Sequence, residues 1–185
     1  LICPSRFLRV RSRDRSPPEA VIVVSNSSPL ITLARIGRLE LPRQLFERVH
    51  LAEEVWREVV VQGAGRPAAQ ALQGADWIET HPATDAAEML RLRGAHPLGA
   101  GELATVTLAR TLRADLAIID ERAARRLAQA EGVAVMGCVG LLETGFRRGL
   151  VPDLGKCYQD LVAQGIRIDR QILNRSLASC GLPLI

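Results

Sequence analysis

Aromatic side chains are scarce in this chain of 185 residues, at 3% of the sequence, although 48% of its residues are apolar. The core must therefore be built from leucine, valine, isoleucine and alanine, which suits parallel strands buried between helices. The scarcity of rings also leaves few platforms on which single-stranded bases could stack. Chain length and apolar content fit one well-buried core, so we expect a single domain at residues 21–185.

The chain also lacks cysteine pairs of the kind found in zinc sites and disulfide frameworks. Its four cysteines are scattered with no C-x-x-C spacing, and its three histidines are equally dispersed. This usage argues against a structural zinc site and fits a reducing cytoplasm. No apolar run reaches the roughly 18 residues that span a bilayer. We therefore expect a cytoplasmic protein with no membrane partner.

Positive charge is concentrated at the start of the chain. Residues 1–20 contain five arginines and two acids, so they carry +3 of the total net charge of +4, and the remainder carries about +1. We expect this Arg- and Ser-rich arm to be disordered. A nucleic-acid-binding arm and sequence translated from upstream of the true start are the alternatives. Any nucleic-acid contact made by the rest of the chain must be local.

Strand-like and helix-like segments alternate after the arm. Five short segments have strand character, namely residues 21–24, 49–51, 77–80, 116–119 and 132–136. Helix signals separate them, such as Ser28 as a preferred N-cap before Pro29 at the first helical position. Helical patterns cover residues 28–36, 53–61, 68–72, 85–93, 100–112, 121–130, 138–148, 153–164 and 169–178. This alternation predicts an α/β fold in three layers, with a central parallel sheet flanked by helices.

Two polar residues lie at the ends of predicted strands. Asn26 comes after residues 21–24, and Asp120 comes after residues 116–119. Ligand sites in open α/β sheets lie beyond the carboxyl ends of strands, so both positions are candidates. Each also has a structural explanation, because Asn26 suits an Asx turn and Asp120 suits a helix N-cap.

Two glutamates on predicted helices are further candidates. Glu102 heads an apolar stripe with Val106 and Ala109, and Glu58 lies at the border of the buried side of its helix. The structural explanations are a favourable first-turn carboxylate for Glu102 and a solvated helix face for Glu58. Taken together, the four candidates favour a metal site over separate structural roles, because clustered carboxylates repel one another unless a cation neutralises them. Their hard oxygen ligands suit Mg²⁺ or Mn²⁺, and such a site activates water for phosphate hydrolysis.

A basic helix face follows Asp120. Arg122, Arg125 and Arg126 share one side of that helix, which is either an ordinary solvated face or a set of phosphate contacts. Ser27 could add a hydroxyl donor near the same place. These residues are the candidate RNA-binding groups.

In combination, these segments resemble the PIN domain family, in particular its VapC-like prokaryotic branch, from about Val21 to Gly181. The segments that carry the resemblance are residues 24–31 (VSNSSPLI), 55–59 (VWREV), 98–102 (LGAGE), 118–122 (IIDER), 137–142 (GCVGLL) and 165–169 (GIRID). Each segment is weak alone, but their order and spacing make a fairly specific signal. The family usually has Asp where this chain has Asn26.

The resemblance implies a PIN-like three-layer fold and a ribonuclease that depends on Mg²⁺ or Mn²⁺. The implied metal ligands are Asn26, Glu58, Glu102 and Asp120, with Glu121 as an additional candidate. Of these, the implied catalytic residues are Glu58, Glu102 and Asp120. The resemblance also implies RNA as the substrate, the toxin role of a toxin–antitoxin pair, a small antitoxin protein as partner, and by analogy a homodimer.

Two other functions stay open at the level of sequence. Asn26 removes one charge from the expected site, so the chain could be a catalytically weak or inactive module that binds RNA or protein. A small-molecule α/β enzyme is disfavoured, because the sequence has no GxGxxG after a strand, no P-loop and no nucleophile elbow.

Overall fold

A sheet of five parallel strands lies at the centre of the fold, in the order β3-β2-β1-β4-β5. The computed structural model describes residues 21–82 and 86–185, so the arm at residues 1–20 lies outside the described part. The strands are β1 (Val23–Ser25), β2 (Val49–Ala52), β3 (Ile78–His81), β4 (Leu116–Ile118) and β5 (Val135–Met136). Helices connect the strands and cover the sheet, which confirms the predicted α/β fold with a central parallel sheet.

Ten α-helices accompany the sheet in the described residues. They are α1 (Ser27–Arg35), α2 (Leu41–Phe46), α3 (Glu53–Trp56), α4 (Pro67–Gln73), α5 (Ala86–Ala95), α6 (Ala100–Thr111), α7 (Arg122–Ala130), α8 (Cys138–Arg147), α9 (Leu154–Ala163) and α10 (Arg170–Ser179). A π-helical segment, Arg57–Val61, continues directly from α3. Asp85, the predicted first residue of α5, lies outside the described residues.

The central strands are buried on both faces, as expected for a parallel sheet covered by helices. Val23, Val24 and Ser25 of β1 are fully inaccessible to solvent, and so are Ala117 and Ile118 of β4. The core cluster is dominated by leucine and valine, as the scarcity of aromatic residues predicts. Strand β3 is the sheet edge beyond β2 and stays partly exposed.

Two strands differ from the sequence prediction for local reasons. β1 begins at Val23 instead of Val21, because the Ile22 N–H bonds to the Asp115 carboxylate outside the strand ladder. β5 contains only Val135–Met136, because Gly132 takes a left-handed conformation with φ of 80° and the Val133 N–H bonds back to α7. Residues 132–133 therefore finish the preceding helix instead of starting the strand.

Candidate active site at the carboxyl edge of the sheet

The sheet places Asn26 and Asp120 at the carboxyl ends of neighbouring strands. Ser25 of β1 is in register with Ile118 of β4, and the Asn26 N–H donates to the Ile118 carbonyl at 3.0 Å. Asp120 follows two residues after β4 ends. The predicted position of both residues at one edge of the sheet is therefore correct.

Asn26 is the N-cap of α1. Its Oδ1 accepts the Ser27 N–H at 2.8 Å, and the residue is only 3% exposed. The helix therefore begins at Ser27, and the sequence prediction of Ser28 as the cap was wrong by two residues. An amide serves this capping role without the cost of burying a charge.

Glu58 is held next to Asn26 through Ser27. The Ser27 Oγ donates to Glu58 Oε1 at 3.2 Å and lies 3.4 Å from Asn26 Oδ1. Glu58 lies in the π-helical segment, where the Gln62 N–H bonds to the Arg57 carbonyl five residues earlier. Such π segments are rare and occur often at functional sites, because the wider turn redirects its side chains.

Gly101 lets a third element approach these two oxygens. A Cβ built on Gly101 would lie 2.8 Å from Glu58 Oε2 and 3.7 Å from Asn26 Oδ1. Any larger residue at this buried position would displace the Glu58 carboxylate, so the glycine forms part of the site. In the sequence this glycine belongs to residues 98–102, one of the segments that carry the family resemblance, but it was not predicted to be a site residue.

Glu102 lies in the first turn of α6, one residue after this glycine. It is partly buried, and it shares a helix face with Val106 and Ala109, which are fully buried as predicted. Its Oε2 turns back against Gly99, where a Cβ would collide with it. A first-turn carboxylate also interacts favourably with the helix dipole, so the structural explanation also holds for Glu102.

Asp120 caps a helix other than the one predicted. Its Oδ1 accepts the Cys138 N–H at 2.7 Å, at the start of α8, and a Cβ on Gly137 would lie 2.8 Å from the same oxygen. Glu121 takes the place predicted for Asp120, because it is the N-cap of α7 and accepts the Ala124 N–H at 2.6 Å. Burial raises the pKa of Asp120, and the Cys138 N–H and the Arg125 charge only partly oppose this shift.

The three arginines of α7 differ in their surroundings. Arg125 is partly buried and donates from Nη1 to the Ile119 carbonyl at 3.0 Å, so it supports the loop that carries Asp120. Arg122 and Arg126 are exposed and available to an external ligand. Ser27 is 6% exposed, and its hydroxyl already serves Glu58.

Glu58 opens onto a cleft of about 290 Å³ between the π-helical segment and α4. Arg66 and Gln62 are among the residues that line this cleft. The Arg66 guanidinium is suited to binding a phosphate, and the Gln62 amide to hydrogen bonding with a base edge. Sequence reasoning missed Arg66, because it lies in the turn before Pro67 and no helix periodicity marks it.

The proposed ligands are close in the fold but do not form a tight cluster of charges. Among the described residues, Glu58, Glu102 and Asp120 are not all within 4.8 Å of one another; the group that meets this distance is His50, Glu79 and His81. The donor set at the sheet edge consists of carboxylate and amide oxygens, which fits Mg²⁺ or Mn²⁺.

The fold is an α/β domain with amide and acidic side chains at the carboxyl edge of a parallel sheet. A family model described as a PIN domain matches residues 22–181, so the chain belongs to the PIN domain family. PIN domains are generally nucleases that act on nucleic acid with divalent metal ions. A comparison with curated proteins finds no match. In the described part of the chain, no helix combines the length and apolar character needed to span a bilayer.

Proposed function

We propose that the protein is a metal-dependent endoribonuclease of PIN type. The proposal rests on side chains that are far apart in sequence but lie together in the fold. The Ser27 hydroxyl contacts both Asn26 and Glu58, and Gly101 allows the start of α6 to pack against the same two side chains. A helix cap alone would require no carboxylate at Glu58. The structural explanations of the single residues therefore do not explain why these side chains lie together.

The proposed metal ligands are Asn26, Glu58, Glu102 and Asp120. When bound, Mg²⁺ or Mn²⁺ would activate water and neutralise charge on the phosphate. Ser27 orients Glu58 by holding Oε1, which leaves Oε2 directed toward Gly101 and Asn26. The Cys138 N–H fixes Asp120 in the same way, so two carboxylates are oriented before substrate arrives.

Phosphate contacts are proposed for the exposed Arg122 and Arg126, with Arg125 in a supporting role. Guanidinium groups bind phosphate oxygens in a bidentate manner, which positions an RNA backbone without reading its sequence. Glu121 is the N-cap of α7, and its carboxylate already accepts the Ala124 N–H. It is therefore the weakest candidate among the proposed metal ligands. We further propose that the protein acts in the cytoplasm as a VapC-like toxin that is inhibited by a small antitoxin. This proposal rests on the family resemblance alone, and the same resemblance suggests a homodimer.

The proposal is tested by incubating the purified chain with labelled single-stranded RNA and Mn²⁺. We expect cleavage by the wild type and a loss of at least about 10- to 100-fold in Glu58→Gln and Glu102→Gln. Glu53→Gln is the matched control, because Glu53 is exposed on α3 and should cleave like the wild type. Absence of cleavage by the wild type, or equal cleavage by all variants, would contradict the proposal.

The second candidate is a PIN-like module that binds RNA or protein without cleaving RNA. Asn26 favours it, because the buried amide brings no charge and a neutral ligand lowers affinity for a cation. Calorimetric titration with Mn²⁺ separates the two candidates. No binding by the wild type, with binding and cleavage gained in Asn26→Asp, would support the module.

A further inference from the structure

Two histidines on neighbouring strands meet at the open edge of the sheet. His50 lies in β2 and His81 ends β3, 31 residues later, with His50 Nδ1 and His81 Nε2 only 2.8 Å apart. The ring planes are tilted by 52°, so the rings meet through these nitrogens instead of stacking. The third histidine, His96, lies outside this pair.

Sheet geometry explains how the pair forms. His50 is in register with Glu79, and side chains two residues apart on a strand share a face, so His50, Glu79 and His81 all project from the same side. Ala52 is in register with His81. Its small methyl group leaves room for the two rings to approach diagonally.

A carboxylate completes the group. Glu79 Oε2 lies 3.8 Å from His50 Nδ1, and Glu79 Oε1 lies 3.7 Å from His81 Nε2. Burial lowers the pKa of His50, although the Glu79 charge opposes this shift. Neutral imidazole is the form that binds metals.

The group is close to the dimensions of a tetrahedral zinc site, because one ligand atom from each of the three residues lies within 4.8 Å of the others. Ligand bonds of about 2.0–2.2 Å at tetrahedral angles place neighbouring ligand atoms about 3.3–3.5 Å apart. The two imidazole nitrogens are 2.8 Å apart, and each lies 3.7–3.8 Å from a different oxygen of the Glu79 carboxylate. Tetrahedral spacing would need the two nitrogens to separate by about a further 0.5 Å and the half-exposed Glu79 side chain to rotate so that one of its oxygens faces both of them.

We propose that His50, Glu79 and His81 form a second metal site, which binds a first-row transition ion of the zinc class. Two imidazoles and one carboxylate suit such an ion better than Mg²⁺, so this site differs in chemistry from the all-oxygen edge of β1 and β4. Water from solvent would take the fourth position. Because its ligands come from β2 and β3, the bound ion would fasten the exposed edge strand to the rest of the sheet.

The site is tested by calorimetric titration of the full chain with Zn²⁺ in excess Mg²⁺. We expect one Zn²⁺ per chain, with affinity reduced at least about tenfold in His81→Ala and Glu79→Gln. His96→Ala is the matched control and should bind like the wild type. Circular dichroism of each variant checks that the fold is retained.

A second measurement uses only the wild-type chain, so it does not depend on the folding of variants. In NMR spectra of the histidine rings, Zn²⁺ should shift the signals of His50 and His81 and leave those of His96 in place. No Zn²⁺ binding by the wild type, or a shift of His96 alone, would overturn the proposal. Binding that is lost in Glu58→Gln but kept in Glu79→Gln would also overturn it, because the ion would then occupy the carboxyl edge of β1.

Discussion

Asp120 combines a structural bond with a buried charge. Its Oδ1 caps α8 through the Cys138 N–H, and burial raises its pKa above the ordinary value of 3.8. Folding therefore favours the protonated acid more than the unfolded chain does. This contribution to stability is fully present below pH 3.8 and is lost as the pH rises through the pKa of the folded state.

Replacing Asp120 with asparagine should consequently preserve or raise the stability of the fold and abolish RNA cleavage. The amide keeps an oxygen that can accept the Cys138 N–H but removes the buried charge. We expect Asp120→Asn to unfold at a temperature equal to or above that of the wild type at pH 7, while RNA cleavage is lost. The stability difference should vanish below pH 3.8, where the wild-type acid is protonated.

Thermal unfolding followed by circular dichroism at both pH values measures this difference. Asp120→Ala serves as the comparison, because it loses the acceptor and should be less stable by about 1–3 kcal/mol. A comparable destabilisation in Asp120→Asn would show that the negative charge itself holds the fold, through Arg125.

At the scale of elements, Glu143 joins the last helices to the body of the domain. Its Oε2 accepts from Ser176 Oγ at 2.6 Å, and its Oε1 accepts from Ser179 Oγ and Arg147 Nη2, both at 2.9 Å. Ser176 also bonds to the buried Tyr158 hydroxyl at 2.6 Å. One carboxylate of α8 thus connects α9 and α10.

Glu143→Gln should weaken this connection in a manner that depends on pH. Burial alone would raise the pKa of Glu143, but hydrogen bonds from Ser176, Arg147 and Ser179 outweigh it and lower the pKa. The stabilisation is therefore present above pH 4.5 and is lost as the pH falls through the pKa of the folded state. Urea unfolding should show a loss of about 1–2 kcal/mol at pH 7 that shrinks in acid. Glu53→Gln should change stability little at either pH.

Elements were easier to predict from the sequence than their ends. Period and composition identified the strands and the longer helices, because each buries a continuous apolar face. The six-residue helix α2 was missed, because so short a segment shows little periodicity. The starts of α1 and α7 were misplaced, since several polar residues in a row can each cap a helix and only the tertiary contacts choose between them. The π-helical turn at Glu58 has no sequence signal, because one wider turn leaves the apolar spacing of Val55 and Val59 almost unchanged.

At the scale of the whole molecule, pairing across the sheet creates sites that sequence spacing hides. His50 and His81 are separated by 31 residues, so scattered histidines were taken as evidence against a zinc site. The register of β2 with β3 brings them together, and register cannot be read from either strand alone. Asn26 and Asp120 were easier to place, because both follow strongly apolar strands.

The distribution of charge over the molecule leads to the last prediction. Beyond residue 20 the chain carries a net charge of about +1, so RNA binding by this part should depend on a few arginines and respond only modestly to salt. Each phosphate contact to a single strand contributes about −0.7 to the slope of log K against log salt. Replacing both Arg122 and Arg126 with glutamine should therefore make the slope shallower by about 1.4.

Fluorescence anisotropy of a labelled single-stranded RNA at several salt concentrations measures this slope, in a Glu102→Gln background that prevents cleavage. Glutamine at Arg170 and Arg175 provides the matched control, because both are exposed on α10, a helix that carries none of the proposed site residues, and the control slope should equal that of the parent. An unchanged slope in the Arg122 and Arg126 variant would place the RNA elsewhere, with the cleft beside Arg66 as the next position to test. A slope reduced equally by both pairs would mean that the RNA is held by general attraction to positive charge and not by the helix that follows Asp120.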